Sequence, residues 1–296
     1  MDLRLTTVLP VIGEGGVDGR SVIIRADLEA DAATDPRFVA THSLVQFLLR
    51  QKAGAVKVVG HGGGVWLVEE LGVTVNYNIR SDPREEQNSV EFAAELADGF
   101  DVYINEAFGV SHRLHTSIDA LPRWMKKQGR EVYCGPRFTQ EVDILSQVLT
   151  RPGRKILVIG GAKVKDKERL AQLLEGKFDV VLKGGLLPGA ELRPDGLDIP
   201  ETAIGRFKAE ISQAAVVVTA GTMGKFEDTE AQAGTREILT AIASSPGYKV
   251  AGGGDTEAAI AKYHLIDKFD WISVGGGAML EFLATGTLPG IEALVS

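Results

Sequence analysis

Strand-length apolar runs alternate with helical patterns along the whole chain, and that rhythm limits the architecture more than any single residue does. Arg20–Ala26 reads as a buried strand, Asp35–Gly54 as a helix carrying Phe38, Leu44, Val45, Leu48 and Leu49, and Ala55–Gly60 as the next strand. Val73–Asn76, a helix near Val90–Ala97 and Asp101–Asn105 continue the series. Further on, strands are expected at Lys155–Ile159, Asp179–Leu182, Ala215–Thr219, Lys249–Ala251 and Trp271–Ser273. Helices are expected near Lys165–Glu175, Thr202–Gln213, Glu230–Ser244 and Thr256–Tyr263. Strands separated by crossover helices pair in parallel, and parallel sheets are covered by helices on both faces. The pattern therefore predicts an α/β protein built from doubly wound, Rossmann-like parallel sheets.

A chain of 296 residues, 44% of them hydrophobic, can bury two cores. Thr150-Arg151-Pro152-Gly153-Arg154 interrupts a helical pattern (Thr139–Leu149) just before a new strand. The expected division is residues 1–149, residues 150–286, and a tail, 287–296, that returns to the first domain. A helix would join the domains, with a hinge cleft between them. No sequence repeat relates the halves.

The net charge of −8 argues against a surface that coats nucleic acid, while leaving room for a local basic pocket. Cys134 is the only cysteine, so neither an intrachain disulfide nor a thiolate-rich metal site is available. Met1–Pro10 mixes charged and polar residues, and no apolar run approaches bilayer-spanning length. The expectation is a cytoplasmic monomer acting on small molecules, with no nucleic-acid or membrane partner.

Glycine-rich strand ends dominate the second half. Gly160-Gly161-Ala162-Lys163-Val164-Lys165-Asp166-Lys167 follows a strand and opens a helix. Such a turn lets the backbone approach a phosphate, and the helix start offers free N–H groups. Lys163 and Lys167 stand four apart and can face one ligand; the plain alternative is a tight turn before a solvated, lysine-rich helix. The spacing is not that of a Walker loop. Gly252-Gly253-Gly254-Asp255-Thr256 repeats the design. There Asp255 either caps the helix or offers a carboxylate to Mg²⁺ beside a phosphate. Gly275-Gly276-Gly277-Ala278 precedes a further helix.

The first half supplies cations. Arg25, Arg37, Arg80 and Arg113 fall near strand or helix ends, His61 follows a strand, and Asn105-Glu106-Ala107-Phe108-Gly109-Val110-Ser111-His112-Arg113-Leu114-His115-Thr116-Ser117 crowds charge at one strand-to-loop junction. Taken singly, each arginine reads equally well as a surface charge.

In order along nearly the whole chain, these segments resemble the phosphoglycerate kinase family. Asn105–Arg113 is similar to its "NDAFGTAHR" segment, Gly160–Lys167 to "GGAKVKDK", Gly252–Thr256 to "GGGDT", and Gly221–Glu227 to "NGPMGVFE". Arg25-Ala26-Asp27 resembles "RVDFN", Thr34–Arg37 the segment holding the family's catalytic arginine, and Asn78-Ile79-Arg80 "ENLR". The resemblance implies transfer of the acyl phosphate of 1,3-bisphosphoglycerate to ADP, giving 3-phosphoglycerate and ATP. It assigns catalysis to Arg37, Lys163, Lys167, Gly253 and Gly254, and the phospho-acid to Arg25, Asp27, Arg37, His61, Arg80 and Arg113. The nucleotide falls to Gly160, Gly161, Ala162, Lys163, Lys167, Glu227, Gly252, Gly253, Gly254, Asp255 and Thr256, with Mg²⁺ on Asp255.

Four positions depart from the family pattern. Glu29 replaces the asparagine of "DFN", Gly64 the arginine of "HLGR", and Ala220 and Thr222 the asparagine and proline of "NGP". An added carboxylate and a lost charged hydrogen bond each cost about 1–3 kcal/mol of acid binding. Two other readings accommodate these departures: a kinase for another small carboxylic acid, and a binding protein that retains nucleotide or phospho-acid without turnover. The chain is also shorter than family members, chiefly between His61 and Arg80 and between Gly185 and Gly196.

Overall fold

Val22, Ile23 and Ile24 lie in β1 (Ser21–Arg25), a strand covered on both faces, which is why its sequence is a continuous apolar run rather than an alternating one. This computed structural model describes residues 9–29, 34–62, 72–76, 78–162 and 164–296. Around β1 stand β2 (Ala55–Val59), β3 (Thr74–Asn76), β4 (Val102–Asn105) and β5 (Glu131–Cys134), in the order β3-β2-β1-β4-β5. Every neighbouring pair is parallel, with Ile24 opposite both Val58 and Ile104. The chain winds outward from β1 to β3, then returns to the other side of β1 as β4. The switch point thus lies between β1 and β4.

The first helix, α1 (Pro36–Arg50), starts where chemistry dictates. The Asp35 side chain accepts from Arg37 N at the cap, and Pro36 occupies the first turn, where no donor is missed. Its Phe38, Leu44, Val45 and Leu48 pack with Val22, Ile24 and Val58. The helix ends before the expected Gly54. Lys52 turns left-handed (φ 59°), and Ala53 N closes back onto Leu48 O. Gly54 belongs to the next approach: a Cβ there would stand 2.6 Å from the Gly19 carbonyl oxygen.

The helix α2 (Val90–Ala97) is capped by Ser89, and a π-helical turn at Thr116–Ala120 leads into α3 (Leu121–Lys127). Neither α3 nor β5 stands out in the sequence. β5 is a short edge strand with mixed burial, and α3 offers one amphipathic turn behind Pro122.

The second sheet repeats the scheme with β6 (Lys155–Ile159), β7 (Val180–Lys183), β8 (Val216–Ala220), β9 (Tyr248–Gly252) and β10 (Trp271–Ser273), ordered β10-β9-β8-β6-β7. All its pairs are parallel, and the switch point lies between β6 and β8. Helices α5 (Val164–Leu174), α6 (Glu201–Ile211), α7 (Ala233–Ser244), α8 (Gly254–Lys262) and α9 (Gly276–Thr285) connect or follow these strands, with Ile156, Val158, Phe207, Ile238 and Ile260 in one core.

The chain divides into two compact units, one running to Asp143 and including Gly286–Ser296, the other Ile144–Thr285. The division falls inside α4 (Pro136–Thr150), whereas Thr150–Arg154 marks where that helix stops. In the first unit α10 (Pro289–Val295) packs on α3 and β5, and Gly290 N donates to Ser111 O at 3.0 Å. Among the described residues no single helix is long and apolar enough to cross a membrane.

Asp35→Ala removes the cap of α1 and is expected to lower the unfolding free energy by about 0.5–2 kcal/mol in urea titrations. An unchanged midpoint would show that the Asp35 carboxylate contributes nothing to helix α1.

Candidate active site

In the second unit, the turns after β6, β8 and β9 meet at the carboxyl edge of the sheet. Gly221 has φ 101°, and a Cβ there would collide with the Gly160 carbonyl, so only glycine lets these two turns close. Thr256 Oγ1 accepts from Gly221 N at 2.6 Å, tying the start of α8 to the turn after β8. Lys167 Nζ donates to Gly160 O at 2.6 Å from the second turn of α5. Gly276, at the start of α9, touches the same cluster: a Cβ on it would lie 2.8 Å from Gly253 Cα. Lys163 lies outside the described residues, and so does Gly64 in the first unit.

Asp255 is not the cap of its helix. Gly253 holds that position at φ 100° without a side-chain hydrogen bond, and Asp255 follows, itself exposed, in the first turn. Its carboxylate borders a cavity of about 620 Å³, lined also by Gly161, Ala162, Leu186, Phe226 and Glu227. An uncapped helix start, glycine turns and an oxygen ligand on one cavity wall suit phosphate with a hard cation. Thr235 and Asp198 hold the loop bearing Glu227 from behind. Thr235 Oγ1 accepts from Met223 N at 3.0 Å, and buried Asp198 accepts from Gly234 N at 2.8 Å.

In the first unit the corresponding edge carries side chains instead of bare backbone. Arg25 ends β1 and is only 1% exposed, and His61 follows β2. Arg25 Nε donates to Ser117 Oγ at 2.8 Å, and its Nη1 donates to the Ala26 carbonyl. Ser117 in turn donates from Oγ to Glu85 Oε1 at 2.6 Å and from its backbone N to Oε2 at 3.0 Å. His61 Nε2 meets the same Glu85 Oε1 at 2.9 Å. Tyr103 OH fixes the strand below, donating to Ser117 O at 2.7 Å.

Burial shapes the charges. Burial alone would raise the Glu85 carboxyl, but hydrogen bonds from His61 and Ser117, with the Arg25 charge, hold it below the usual carboxylate range. Burial pushes His61 below its ordinary value, with the Glu85 bond opposing. Burial also carries His115 down to about 4. Burial raises the Asp27 carboxyl, against the charges of Arg37 and Arg25.

The sequence-predicted residues therefore gather unevenly. Arg25 and His61 share one buried network, and the charges of Arg80 and Arg113 reach His61 and His115. Arg80 itself is exposed and pairs with Glu86 at 2.6 Å. Arg37 sits on Asp35, Nη2 to Oδ2 at 2.6 Å, near enough to Asp27 to act on it. Glu106 serves α4, accepting from Arg137 N at 3.1 Å and Phe138 N at 3.2 Å. Sequence reasoning assigned no role to Glu85, Ser117 or His115. Glu85 sits in a charged run, Arg84-Glu85-Glu86, that reads as solvated surface; His115 and Ser117 lie in the crowded junction, where Arg113 drew the assignment.

The profile of the family described as Phosphoglycerate kinase matches residues 3–193 and 189–286. A phosphoglycerate kinase of Anaeromyxobacter dehalogenans (strain 2CP-C) is 33% identical over 279 aligned positions, covering 73% of this chain and 69% of the relative. One from Gloeobacter violaceus is 29% identical over 371 positions, covering 99% of this chain and 90% of its own. An alignment longer than the 296-residue chain means that the relative carries insertions. Among solved structures, the phosphoglycerate kinases of Coxiella burnetii and Pyrococcus horikoshii OT3 each superpose with a TM-score of 0.77 at 23% identity, covering 94% of this chain and 96% of theirs. At that identity the likeness speaks for the fold.

The depressed His115 predicts acid sensitivity. Its ordinary value is 6.5 and its folded value about 4, so the unfolded chain takes up the proton first. The His115 contribution is complete above pH 6.5 and is lost as pH falls toward 4. Glu106, raised from 4.5 to about 7, acts oppositely over much of that window, so the comparison must be with a variant. Thermal midpoints of His115→Gln should fall less steeply between pH 6.5 and 4 than those of the parent; parallel curves would contradict the assignment.

Proposed function

The chain belongs to the phosphoglycerate kinase family, and from that premise we propose that it reversibly transfers the acyl phosphate of 1,3-bisphosphoglycerate to ADP. The observation that carries this reading is a pair of edges on two parallel sheets, each at its switch point, one ringed by cationic side chains and the other built of glycine turns.

The phospho-acid is assigned to the first unit. Arg80 and Arg113 supply guanidinium groups for carboxylate and phosphate, Arg25 adds its unused Nη2, Asp27 accepts from hydroxyl, and His61 completes the wall. The nucleotide is assigned to the second unit. Gly160, Gly161 and Ala162 admit its phosphates to the backbone, Lys163 and Lys167 add charge, and Glu227 faces the cavity for the ribose. The backbone at Gly252, Gly253 and Gly254, with Thr256 holding the turn, offers further N–H donors. Asp255 fits Mg²⁺, because its carboxylate is exposed on the cavity wall and is not spent on a cap. When bound, Mg²⁺ neutralises nucleotide phosphate charge. The setting we assign is a cytoplasmic monomer; the net charge of −8, which makes copies repel one another, supports the monomer.

In this reaction an oxygen of one substrate forms a bond to phosphorus as the bond to the leaving oxygen breaks. The protein needs to align the two and to neutralise the charge on the moving group. Arg37, Lys163 and Lys167 take that second task, with the N–H groups of Gly253 and Gly254.

Steady-state transfer from Mg·ATP to 3-phosphoglycerate tests the reading. The parent should turn over, and Arg37→Ala should lose about 10²–10³-fold in kcat, the scale for removing one charge-stabilising donor. A parent that binds nucleotide without transferring to this acid, or an Arg37→Ala variant of full rate, would overturn it.

A further inference from the structure

Among the described residues, Glu85 is the one fully buried carboxylate in the arginine-rich edge of the first unit, and three donors converge on it. Its own backbone is pinned, with Thr116 N donating to Glu85 O at 2.8 Å and Thr116 Oγ1 to Arg84 O at 2.7 Å. A charge so buried is tolerated only when its lone pairs are filled, and here they are filled by His61 and by Ser117, which in turn accepts from Arg25.

The protons along this network have little choice. An ionised carboxylate only accepts, so His61 Nε2 must carry its hydrogen toward Glu85 Oε1 at 2.9 Å. A neutral His61 then presents Nδ1 as a lone pair. Ser117 Oγ spends its hydrogen on Glu85 and thereby turns a lone pair to Arg25 Nε at 2.8 Å. With Nη1 on the Ala26 carbonyl, Arg25 keeps one buried nitrogen, Nη2, without a hydrogen-bond partner among the described residues. His115 Nδ1 is likewise buried and without a hydrogen-bond partner there, 3.9 Å from Glu85 Oε1. Two buried polar atoms in one cluster are thus open to a further partner, whether an oxygen of the acid or an ordered water.

His61, Glu85 and His115 also bring three donor atoms within 4.8 Å of one another, a set that could hold a transition metal. The surrounding charge opposes that. Arg25 shares Ser117 with Glu85, and the arginines acting on the two histidines, Arg25, Arg80 and Arg113, are all cationic. A dication would be pressed against a buried guanidinium, whereas an anion would find an unused Nη2.

We propose that Glu85 is the positioning residue of the acid pocket: through Ser117 it aims Arg25, through His61 Nε2 it fixes the imidazole tautomer, and by both it sets affinity for the phospho-acid. The proposal rests on the reading of this unit as the phospho-acid site. Glu85 acts through its neighbours, so its removal should weaken acid binding while leaving the nucleotide site of the other unit as it was. Glutamine is nearly isosteric, yet its amide must donate where the carboxylate accepted. The least costly arrangement turns that amide toward His61 Nε2 and drives the proton to Nδ1.

The test uses the full chain, titrated calorimetrically with 3-phosphoglycerate and, separately, with Mg·ATP, and ¹⁵N shifts of His61 to report its tautomer. Glu85→Gln and Ser117→Ala should each weaken acid binding by about 10- to 100-fold, as expected for losing hydrogen bonds to charged groups, with Mg·ATP affinity within about twofold of the parent. His61 should be the Nε2–H tautomer in the parent and in Ser117→Ala, and the Nδ1–H tautomer in Glu85→Gln. A purely structural role would leave that tautomer alone. If Glu85→Gln does not fold, Ser117→Ala alone decides the acid affinity. Parent-like acid affinity in folded variants, an unchanged tautomer in Glu85→Gln, or stoichiometric Zn²⁺ binding abolished by Glu85→Gln would overturn the proposal. Failure of the parent itself to bind the acid would instead remove the functional reading on which it rests.

Discussion

Parallel pairing is the constraint from which the rest of this protein follows. A strand covered on both faces, as β1, β4, β6 and β8 are, has no room for chemistry along its length. In a parallel sheet every strand also ends at the same edge, so the loops leaving those ends converge. The chain's order reverses beside β1 in one sheet and beside β6 in the other, and at each reversal adjacent loops diverge and leave a crevice. Arg25, His61 and Asn105 end or follow three strands of the first sheet, and Gly160, Gly221 and Gly253 follow three of the second.

The two edges solve opposite electrostatic problems. In the second unit, side chains are kept out so that backbone can come close: Gly160, Gly221 and Gly276 sit where a Cβ would strike a neighbouring turn. Thr256 and Lys167 then lock those turns through Gly221 N and Gly160 O. In the first unit, charge is packed in. An isolated buried guanidinium costs several kcal/mol, and Arg25 is kept there by Ser117, the Ala26 carbonyl and the nearby charges of Glu85 and Asp27. Neutral histidines beside it limit the repulsion.

Much of this was legible in the residues. The helix Val90–Ala97 and the strands Lys155–Ile159 and Trp271–Ser273 stand where the apolar pattern puts them, and the signal is most continuous at Lys155–Ile159, which is buried on both faces. β5 and α3 were hidden by their mixed composition: β5 opens on exposed Glu131 with only alternate positions buried, and α3 carries Arg123, Lys126 and Lys127 among its seven residues. Asp255 shows the limit of local reading: sequence allows it to be a cap, and only the φ of 100° at Gly253 removes that option. Glu85 shows the limit more sharply. Its partners His61 and Ser117 lie 24 and 32 residues away, so no window centred on the run Arg84–Glu86 reveals that its middle residue is buried.

Whether each edge takes one substrate can be read from amide hydrogen exchange with each substrate alone. 3-Phosphoglycerate should slow exchange around Arg25–Asp27, His61 and Arg113–Ser117, while Mg·ATP should slow it around Gly160–Ala162, Gly221–Glu227 and Gly253–Thr256. Protection of the glycine turns by the acid, or of the arginine edge by the nucleotide, would contradict it.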